Sequence, residues 1–501
     1  MANPQFSRNL LPILAILCAA LYMVVGDGPV YLGYFCCPGA LLLVHALIPS
    51  LRVSATEWLS PKGMINAIYF LTSVFVPLII KVYGMAYSVL PSLPSDEYIE
   101  FAFVLKALAF LTLAVAWHWS YSGVLRRLGA SRLRRPPTPN GSTAGVVLAL
   151  ACISVGLIGF LLNLDDIKRL IDAARYANNV GWSRNTEVRI AIGNLLRPYA
   201  GVGLMLLWCK QVNSAVLKGR ATLLLPLAAL GFSILTAVSI LGTGRGDLLM
   251  PFVTYVAVYS ATVKSVPLWR LLCLALLLLF CGIELGQYRE TALSGAFSDS
   301  VASSSVSDTL SATLQVYGAG PQFLGFGLQE FKQSGTILMG TGLVSSLLSP
   351  IPIIGKVFRD HSGFVLYNAM IYGADSSVMD QIIPFGLELW INGGIIGFLI
   401  GYLGLGCGVA CVQAYYVSSG RGNAFSTFVT FTIGYWLASL YMGSFGVVSQ
   451  YFIYKGVPIV SCLLVLSWIR KPLPGSKSSH GGALTRLNGR PGAGPKLASS
   501  I

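Results

Sequence analysis

The chain of 501 residues is 55% hydrophobic and only 11% charged, against about 25% charged in an ordinary soluble domain. With a mean hydropathy of +0.71 and repeated apolar runs, that composition excludes a soluble globular fold and leaves one large membrane bundle. The net charge of +15 does not point to nucleic acid, because apolar spans interrupt the basic residues and no recognition motif accompanies them.

A helix needs about twenty apolar residues to cross the hydrocarbon core. Runs of that kind fall near 9–26, 29–48, 64–84, 101–119, 144–163, 191–209, 222–241, 248–263, 268–285, 384–414, 425–443 and 451–469. They predict an all-α, polytopic membrane protein of about 12 transmembrane helices with one long outer loop. The first run follows Arg8 in the manner of a signal peptide. The second run begins so soon after it that an uncleaved first span is the better reading.

Lys and Arg favour the cytoplasmic side of a membrane. With the N-terminus inside, the inner loops carry Arg52 and Lys62, then Arg126, Arg127, Arg132, Arg134 and Arg135. Further along come Lys210–Arg220, Lys264–Arg270, Arg421 and the basic C-terminal tail. Every inner loop is then basic, and both termini are cytoplasmic. The outer segments are 26–29, the acidic 96–100, 164–190, 242–247 and the long 286–381. Residues 1–470 read as one transmembrane domain, and 471–501, rich in Gly, Ser and Pro, as a disordered cytoplasmic tail.

Two outer regions are too substantial to be plain connections. Residues 164–190 open with Leu164, Ile167, Leu170, Ile171 and Ala174 at helical spacing, which predicts a short amphipathic surface helix. The loop 286–381 starts Ser-rich and then holds the Gly- and Pro-broken apolar stretch 336–358. Such a stretch is expected to dip into a protein-lined cavity, where irregular backbone is tolerated at membrane depth. The ten cysteines all lie in apolar runs and read as small buried hydrophobes, with neither disulfide nor metal spacing.

Seven arginines (Arg169, Arg175, Arg184, Arg189, Arg245, Arg289 and Arg359) fall on the outer side, against the charge bias. Guanidinium groups gathered there suggest a bound phosphate or pyrophosphate. Each taken singly also fits a solvated or ion-paired residue. In Gly242-Thr243-Gly244-Arg245-Gly246-Asp247 the glycines permit a tight turn with exposed amides, and Arg245 adds a bidentate donor. A polar hairpin with an interfacial arginine is the other reading. Tyr288 and Arg289 follow directly after a span, where they either anchor the interface or face the substrate. Arg175 and Arg184 flank Trp182, Asn178 and Asn179, a mixture suited to stacking on and hydrogen-bonding a sugar.

His361, next to Arg359 and Asp360, is the only histidine on the outer side and is a candidate to take a proton from a sugar hydroxyl. Glu388 and Asn392 stand four apart at the start of a span and so share one helix face. An ionisable group entering a span defaults to a functional reading with an arginine as partner. A purely structural Glu388–Arg salt bridge is the alternative. Lys106 is the main charge deep within a span. No metal or cofactor is indicated, since metal-ligand spacing, a Walker loop and a dinucleotide fingerprint are all missing.

This arrangement resembles the Wzy-type O-antigen, or oligosaccharide repeat unit, polymerases. The resemblance rests on the Gly-Thr-Gly-Arg-Gly-Asp-Leu-Leu turn, the long outer loop before a late span, and Phe-Gly-Leu-Glu-Leu-Trp-Ile-Asn-Gly-Gly from Phe385 to Gly394. The general plan covers most of the chain, and the motifs a small part of it. The resemblance implies a bacterial inner membrane protein with periplasmic loops 164–190 and 286–381. It implies a glycosyltransferase that moves a growing glycan from undecaprenyl diphosphate onto the next lipid-linked repeat unit, without a cofactor. Implied partners are the undecaprenyl-diphosphate-linked oligosaccharide, the lipid bilayer, and chain-length regulator and flippase proteins.

In that family periplasmic arginines are functional, which here implies Arg175, Arg184, Arg245, Arg289 and Arg359. The expected catalytic set is His361, Glu388, Arg245 and Arg289. The expected substrate contacts are Arg175, Arg184, Arg359, Tyr288, Trp182 and Asn392. Two alternatives remain open. One is the related O-antigen ligase, for which His361 is the candidate loop histidine. The other is a flippase or transporter of lipid-linked sugars or organic anions, which would carry charges near the middle of its spans.

Overall fold

In lipid the backbone has no water to bond, so long runs of Leu, Ala, Val and Phe satisfy themselves only by coiling into helices. The computed structural model describes residues 9–25, 30–54, 57–85, 90–130, 143–163, 188–213, 224–239, 245–264, 318–335, 338–351, 354–359, 361–373, 381–419 and 424–469, with short pieces between 266 and 315. Among the described residues the protein is helical throughout, without strands.

The helices in chain order are α1 (Leu10–Val24), α2 (Gly33–Leu47), α3 (Pro61–Tyr83), α4 (Asp96–Ala130), α5 (Thr143–Leu162), α6 (Val188–Leu196), α7 (Pro198–Asn213) and α8 (Leu224–Ser239). They continue with α9 (Arg245–Thr262), α10 (Gly320–Ser334), α11 (Thr341–Leu348), α12 (Gly355–Arg359), α13 (Gly363–Tyr372), α14 (Phe385–Ser419), α15 (Ala424–Leu440) and α16 (Phe445–Leu466). Five of them, α3, α4, α5, α14 and α16, are long and apolar enough to cross a membrane. Leu17, Leu21 and Val24 on α1 and Leu150, Leu157 and Leu161 on α5 stay exposed, an apolar surface suited to lipid rather than water.

The structure departs from the sequence reading in three places. The acidic 96–100 segment is not a loop but the first turn of α4. Asp96 and Glu97 there lie at the positive end of the helix dipole, and Tyr31 Oη donates to Asp96 Oδ1 at 2.7 Å. The run 191–209 is not one helix. It divides into α6 and α7 at Arg197–Pro198, because proline has no N–H for the preceding turn. The segment 286–381, expected as a loop, holds four helices among its described residues, and α10 is largely buried. The predicted surface helix from 164, the Ser-rich start of the long outer loop, the tail 471–501 and most of the run 268–285 lie outside the described residues.

Two apolar cores organise the bundle. One gathers residues of α1 to α4, α10, α13 and α14, including Phe103, Phe110, Phe326, Tyr367 and Phe398. The second gathers α5, α7, α9, α15 and α16 around Met205, Trp208, Tyr255, Phe425 and Cys462. Helix α15 joins them, contributing Phe425 and Phe428 to the second and Ala438 and Leu440 to the first. In both α3 and α16 a turn of π-helix (Leu71–Phe75 and Phe452–Gly456) precedes a proline, Pro77 or Pro458, that cannot bond back to the turn before it.

The most extensive helix contact is between α4 and α14, which run parallel. At one end the rings of Phe101 and Trp390 meet edge to face with centroids 5.5 Å apart. At the other, Ser120 Oγ lies 3.1 Å from Cys407 Sγ. Between them Gly406 lies so close to α4 that a Cβ would come within 2.3 Å of the Leu113 carbonyl. Helix α2 also runs parallel to α4, with Cys37 Sγ on the Phe103 carbonyl at 3.4 Å and Trp117 Nε1 donating to Ser50 Oγ at 3.1 Å.

At the end of the bundle opposite Asp96, Lys62 Nζ pairs with Glu57 Oε2 at 2.9 Å, and Ser54 Oγ donates to the same oxygen at 2.7 Å. Burial alone would raise the Glu57 pKa, but the hydrogen bonds from Ser54 and Lys62 outweigh it and hold the carboxyl below its ordinary 4.5. A depressed carboxyl stabilises the fold above its unfolded pKa and loses that contribution as pH falls through the folded value. The thermal midpoint of the detergent-solubilised protein should therefore drop as pH falls below 4.5, and Glu57→Gln should flatten that drop. Gly406→Ala should lower the midpoint by an amount equivalent to about 1–3 kcal/mol, through overpacking of α4 against α14.

Candidate functional site

Two buried polar residues of α14, Glu388 and Asn392, sit in its first two turns. Gly394 leaves helical geometry at φ 57°, ψ −149°, a conformation in the left-handed half of the map that favours glycine. The resulting kink separates the turn bearing Glu388 and Asn392 from the long remainder of α14. Four apart, the two residues face the same way, as the sequence predicts. Both are buried, Glu388 at 0% exposure and Asn392 at 6%.

Glu388 Oε2 accepts the backbone N–H of Phe445 at 2.8 Å. Phe445 is the first residue of α16, where backbone amides lack helical acceptors. Ser444 caps the same helix by accepting from the Val447 amide at 3.3 Å. The other carboxyl oxygen, Oε1, has no hydrogen-bond partner. The Ser346 hydroxyl of α11 lies beside it outside good hydrogen-bond geometry, so Oε1 and Ser346 Oγ both stay unpaired and buried. Among the described residues no cation pairs with Glu388, and the side chains of the candidate arginines lie outside them.

Asn392 ties the segment 338–348 to the kink. Its Nδ2 donates to the Glu388 carbonyl at 2.7 Å, and its Oδ1 accepts from the Leu343 amide at 3.3 Å. The Leu338 amide donates to the Ile391 carbonyl at 2.9 Å, and Ser449 Oγ of α16 donates to the Leu347 carbonyl at 2.6 Å. The chain from 338 to 348, predicted as an apolar dip into the protein, is thus a short helix held between α14 and α16. Sequence reasoning missed Ser346 and Ser449. The only signal for Ser346 was a pair of serines in an otherwise apolar octet, Thr341–Leu348.

On the other side of Glu388 lies α13. A Cβ at Gly363 would stand 4.0 Å from Glu388 Cγ, and Ser362 caps α13 by accepting from the Val365 amide at 3.4 Å. Helix α13 is fastened to the chain entering α14 by Asn368. Its Nδ2 donates to the Gln381 carbonyl at 2.8 Å, and its Oδ1 accepts from the Gln381 amide at 2.9 Å. His361 is exposed, two residues before Gly363, whose Cβ position faces Glu388, so the structure brings the two to one end of the bundle.

Arg245 opens α9 and Arg359 closes α12, but their side chains lie outside the described residues. Arg175, Trp182, Arg184, Tyr288 and Arg289 lie outside them altogether. No group of His, Cys, Asp and Glu able to hold a metal occurs among the described residues. The arrangement offers a desolvated carboxylate with one anchored and one unengaged oxygen, a neighbouring hydroxyl, and a short helix roofing both. In that setting the unengaged oxygen is a strong hydrogen-bond acceptor for a hydroxyl that reaches it. Comparison with protein-family models, curated proteins and solved structures finds no match.

Asn392→Ala would leave the partly buried Leu343 amide without its acceptor at a cost of about 1 kcal/mol. Backbone amides of 341–348 should then exchange with deuterium faster than in the wild-type protein. Amides in the middle of α4 should keep their protection.

Proposed function

We propose that this chain polymerises lipid-diphosphate-linked oligosaccharide repeat units at the periplasmic face of a bacterial inner membrane, as the Wzy-type polymerases do. The observation that carries the reading is the unengaged Glu388 oxygen, buried beside Ser346 within the sequence Phe385–Gly394 on which the resemblance rests. In the proposed reaction the acceptor sugar hydroxyl attacks the anomeric carbon of the donor glycan. The bond from that carbon to the diphosphate oxygen breaks, undecaprenyl diphosphate leaves with the electron pair, and the hydroxyl proton passes to Glu388 or His361.

Charge develops on the departing diphosphate, and cations fixed near it lower the barrier. Arg245 and Arg289 take that role, Arg175, Arg184 and Arg359 hold the acceptor diphosphate, and Trp182, Tyr288 and Asn392 contact sugar. Displacement of the short α11, held by a few hydrogen bonds, opens Oε1 to the acceptor. No nucleotide is required, because the donor already carries its leaving group.

We infer further that the chain has about twelve spans, with both termini in the cytoplasm. That arrangement requires α2, α4 and α14 to run in the same direction, and the parallel α2–α4 and α4–α14 contacts support it. It also puts the basic end of α4, with Arg126 and Arg127, on the inner side, as the charge bias favours.

Gel analysis of surface polysaccharide in a deletion strain carrying the gene on a plasmid tests the reaction. Glu388→Gln keeps the shape and an acceptor for the Phe445 amide but removes the base. It should shorten glycan chains severely, and Arg245→Ala or Arg289→Ala should abolish long chains, all at wild-type protein levels. A single repeat unit on the lipid core in the deletion strain supports polymerisation, and a bare core points to a ligase instead. Wild-type chain length in both arginine variants would refute their role.

A further inference from the structure

Between the apolar runs 248–263 and 268–285 the chain makes a short basic turn. Lys264 and Arg270 stand there, and no Asp or Glu occurs anywhere from 248 to 283. A turn between two such runs sits at headgroup level, because the residues on both sides belong in the hydrocarbon. The Lys264 amide donates to the Tyr259 carbonyl at 3.2 Å, and the Val266 amide to Ser260 Oγ at 3.3 Å. These bonds fold the turn back onto the last residues of α9.

The folded turn borders a cleft of about 370 Å³, lined by Tyr259, Lys264, Val266, Pro267 and Arg270. That volume falls within the range of about 300–1,000 Å³ typical of small-ligand sites. Lys264 and Arg270 are both exposed, and among the described residues neither belongs to an ion pair. Two cations thus share one hollow, and the surrounding sequence offers no carboxylate to neutralise them.

An apolar face leads away from the cleft. The Arg270 guanidinium lies over the Trp269 ring, 5.1 Å from its centroid. Trp269, Cys273, Leu276 and Leu277 stand at i, i+4, i+7 and i+8, a spacing that lines one face of a helix, and these residues are helical. All four are exposed, Trp269 at 61%, Leu276 at 65% and Leu277 at 58%. A cationic hollow continuous with an exposed apolar stripe has the polarity that complements one amphiphile with an anionic head.

We infer that this cleft binds the phosphodiester headgroup of an anionic phospholipid, whose acyl chains lie along Trp269, Leu276 and Leu277. A guanidinium takes phosphate oxygens in pairs, and an ammonium adds a compact charge. The Tyr259 hydroxyl is a further donor. A zwitterionic headgroup is disfavoured, since its ammonium would enter beside two cations with no carboxylate to receive it. The apolar stripe selects a lipid over free phosphate, which has no apolar surface to bury there. Lipid binding at this cleft involves none of the polymerase chemistry and stands apart from that reading.

The test titrates the full-length protein in a maltoside detergent with dioctanoyl phosphatidylglycerol, dioctanoyl phosphatidylcholine and inorganic phosphate, read by calorimetry. Phosphatidylglycerol should bind about tenfold more tightly than either other probe. Lys264→Gln combined with Arg270→Gln should weaken that binding by about tenfold or more, and Lys264→Arg, which keeps the charge, should leave it near the wild-type value. Arg126→Gln combined with Arg127→Gln removes the same charge from the exposed end of α4, outside the cleft, and should change nothing. Trp269→Ala should weaken the binding of phosphatidylglycerol but not of phosphate. Wild-type affinity in the Lys264 and Arg270 double variant overturns the site, as does an equal loss in the Arg126 and Arg127 double variant. Equal binding of the two lipids overturns the anionic headgroup. Phosphate binding as tight as that of phosphatidylglycerol overturns the lipid source, and an unchanged affinity in Trp269→Ala overturns the placement of the chains.

Discussion

The parallel contact between α4 and α14 is what the rest of the bundle depends on. Close approach at Gly406 brings the two helices together at one end, and the Phe101–Trp390 contact joins them at the other. Helix–helix association in lipid gains little from the hydrophobic effect and relies on close packing and on small residues that let backbones meet. This pair obeys that rule, and it also carries the two most deeply buried charged groups described, Lys106 on α4 and Glu388 on α14. Everything around them, α2, α10, α13, α15 and the start of α16, is fitted to that pair.

Irregular backbone falls beside those charges. The Gly394 kink and the π turn of α3 each interrupt the regular helical ladder of backbone groups. In a bilayer such groups are tolerated only where protein covers them. Here side chains do much of the covering. Asn392 serves the Leu343 amide, Glu388 the Phe445 amide, and Asn368 both backbone groups of Gln381. The amide side chains therefore do for this end of the bundle what secondary structure does for the rest. Removing one should loosen a specific segment rather than the whole bundle.

Much of the fold was legible because membrane spans leave a simple trace, a run of apolar residues of fixed length. Glu388 and Asn392 were legible for a related reason: in such a run an ionisable side chain stands out, and a spacing of four places its neighbour on the same face. The partner of Glu388 was not, since a backbone N–H looks the same at every position and α16 starts 57 residues later. Helix α10 escaped for a different reason. With Gly320, Gly325 and Gly327 among Gln322, Gln329, Glu330 and Lys332, it reads as a polar loop. Its glycines are points of contact, Gly325 against the Tyr98 carbonyl and Gly327 against Leu387. Composition cannot distinguish a glycine that frees the chain from one that lets two helices touch.

A carboxylate and an ammonium inside one bundle would ordinarily be expected to pair, since each offsets the burial cost of the other. This protein keeps them apart along α4 and α14. Glu388 is anchored at the start of α16 and Lys106 faces the start of α10. Pairing would neutralise both and leave a quiet core. Separation keeps one unengaged acceptor near the mouth and one uncompensated cation below it, at a standing cost in stability. A fold that tolerates that cost at two points on its central helix pair has retained reactive polarity in both places.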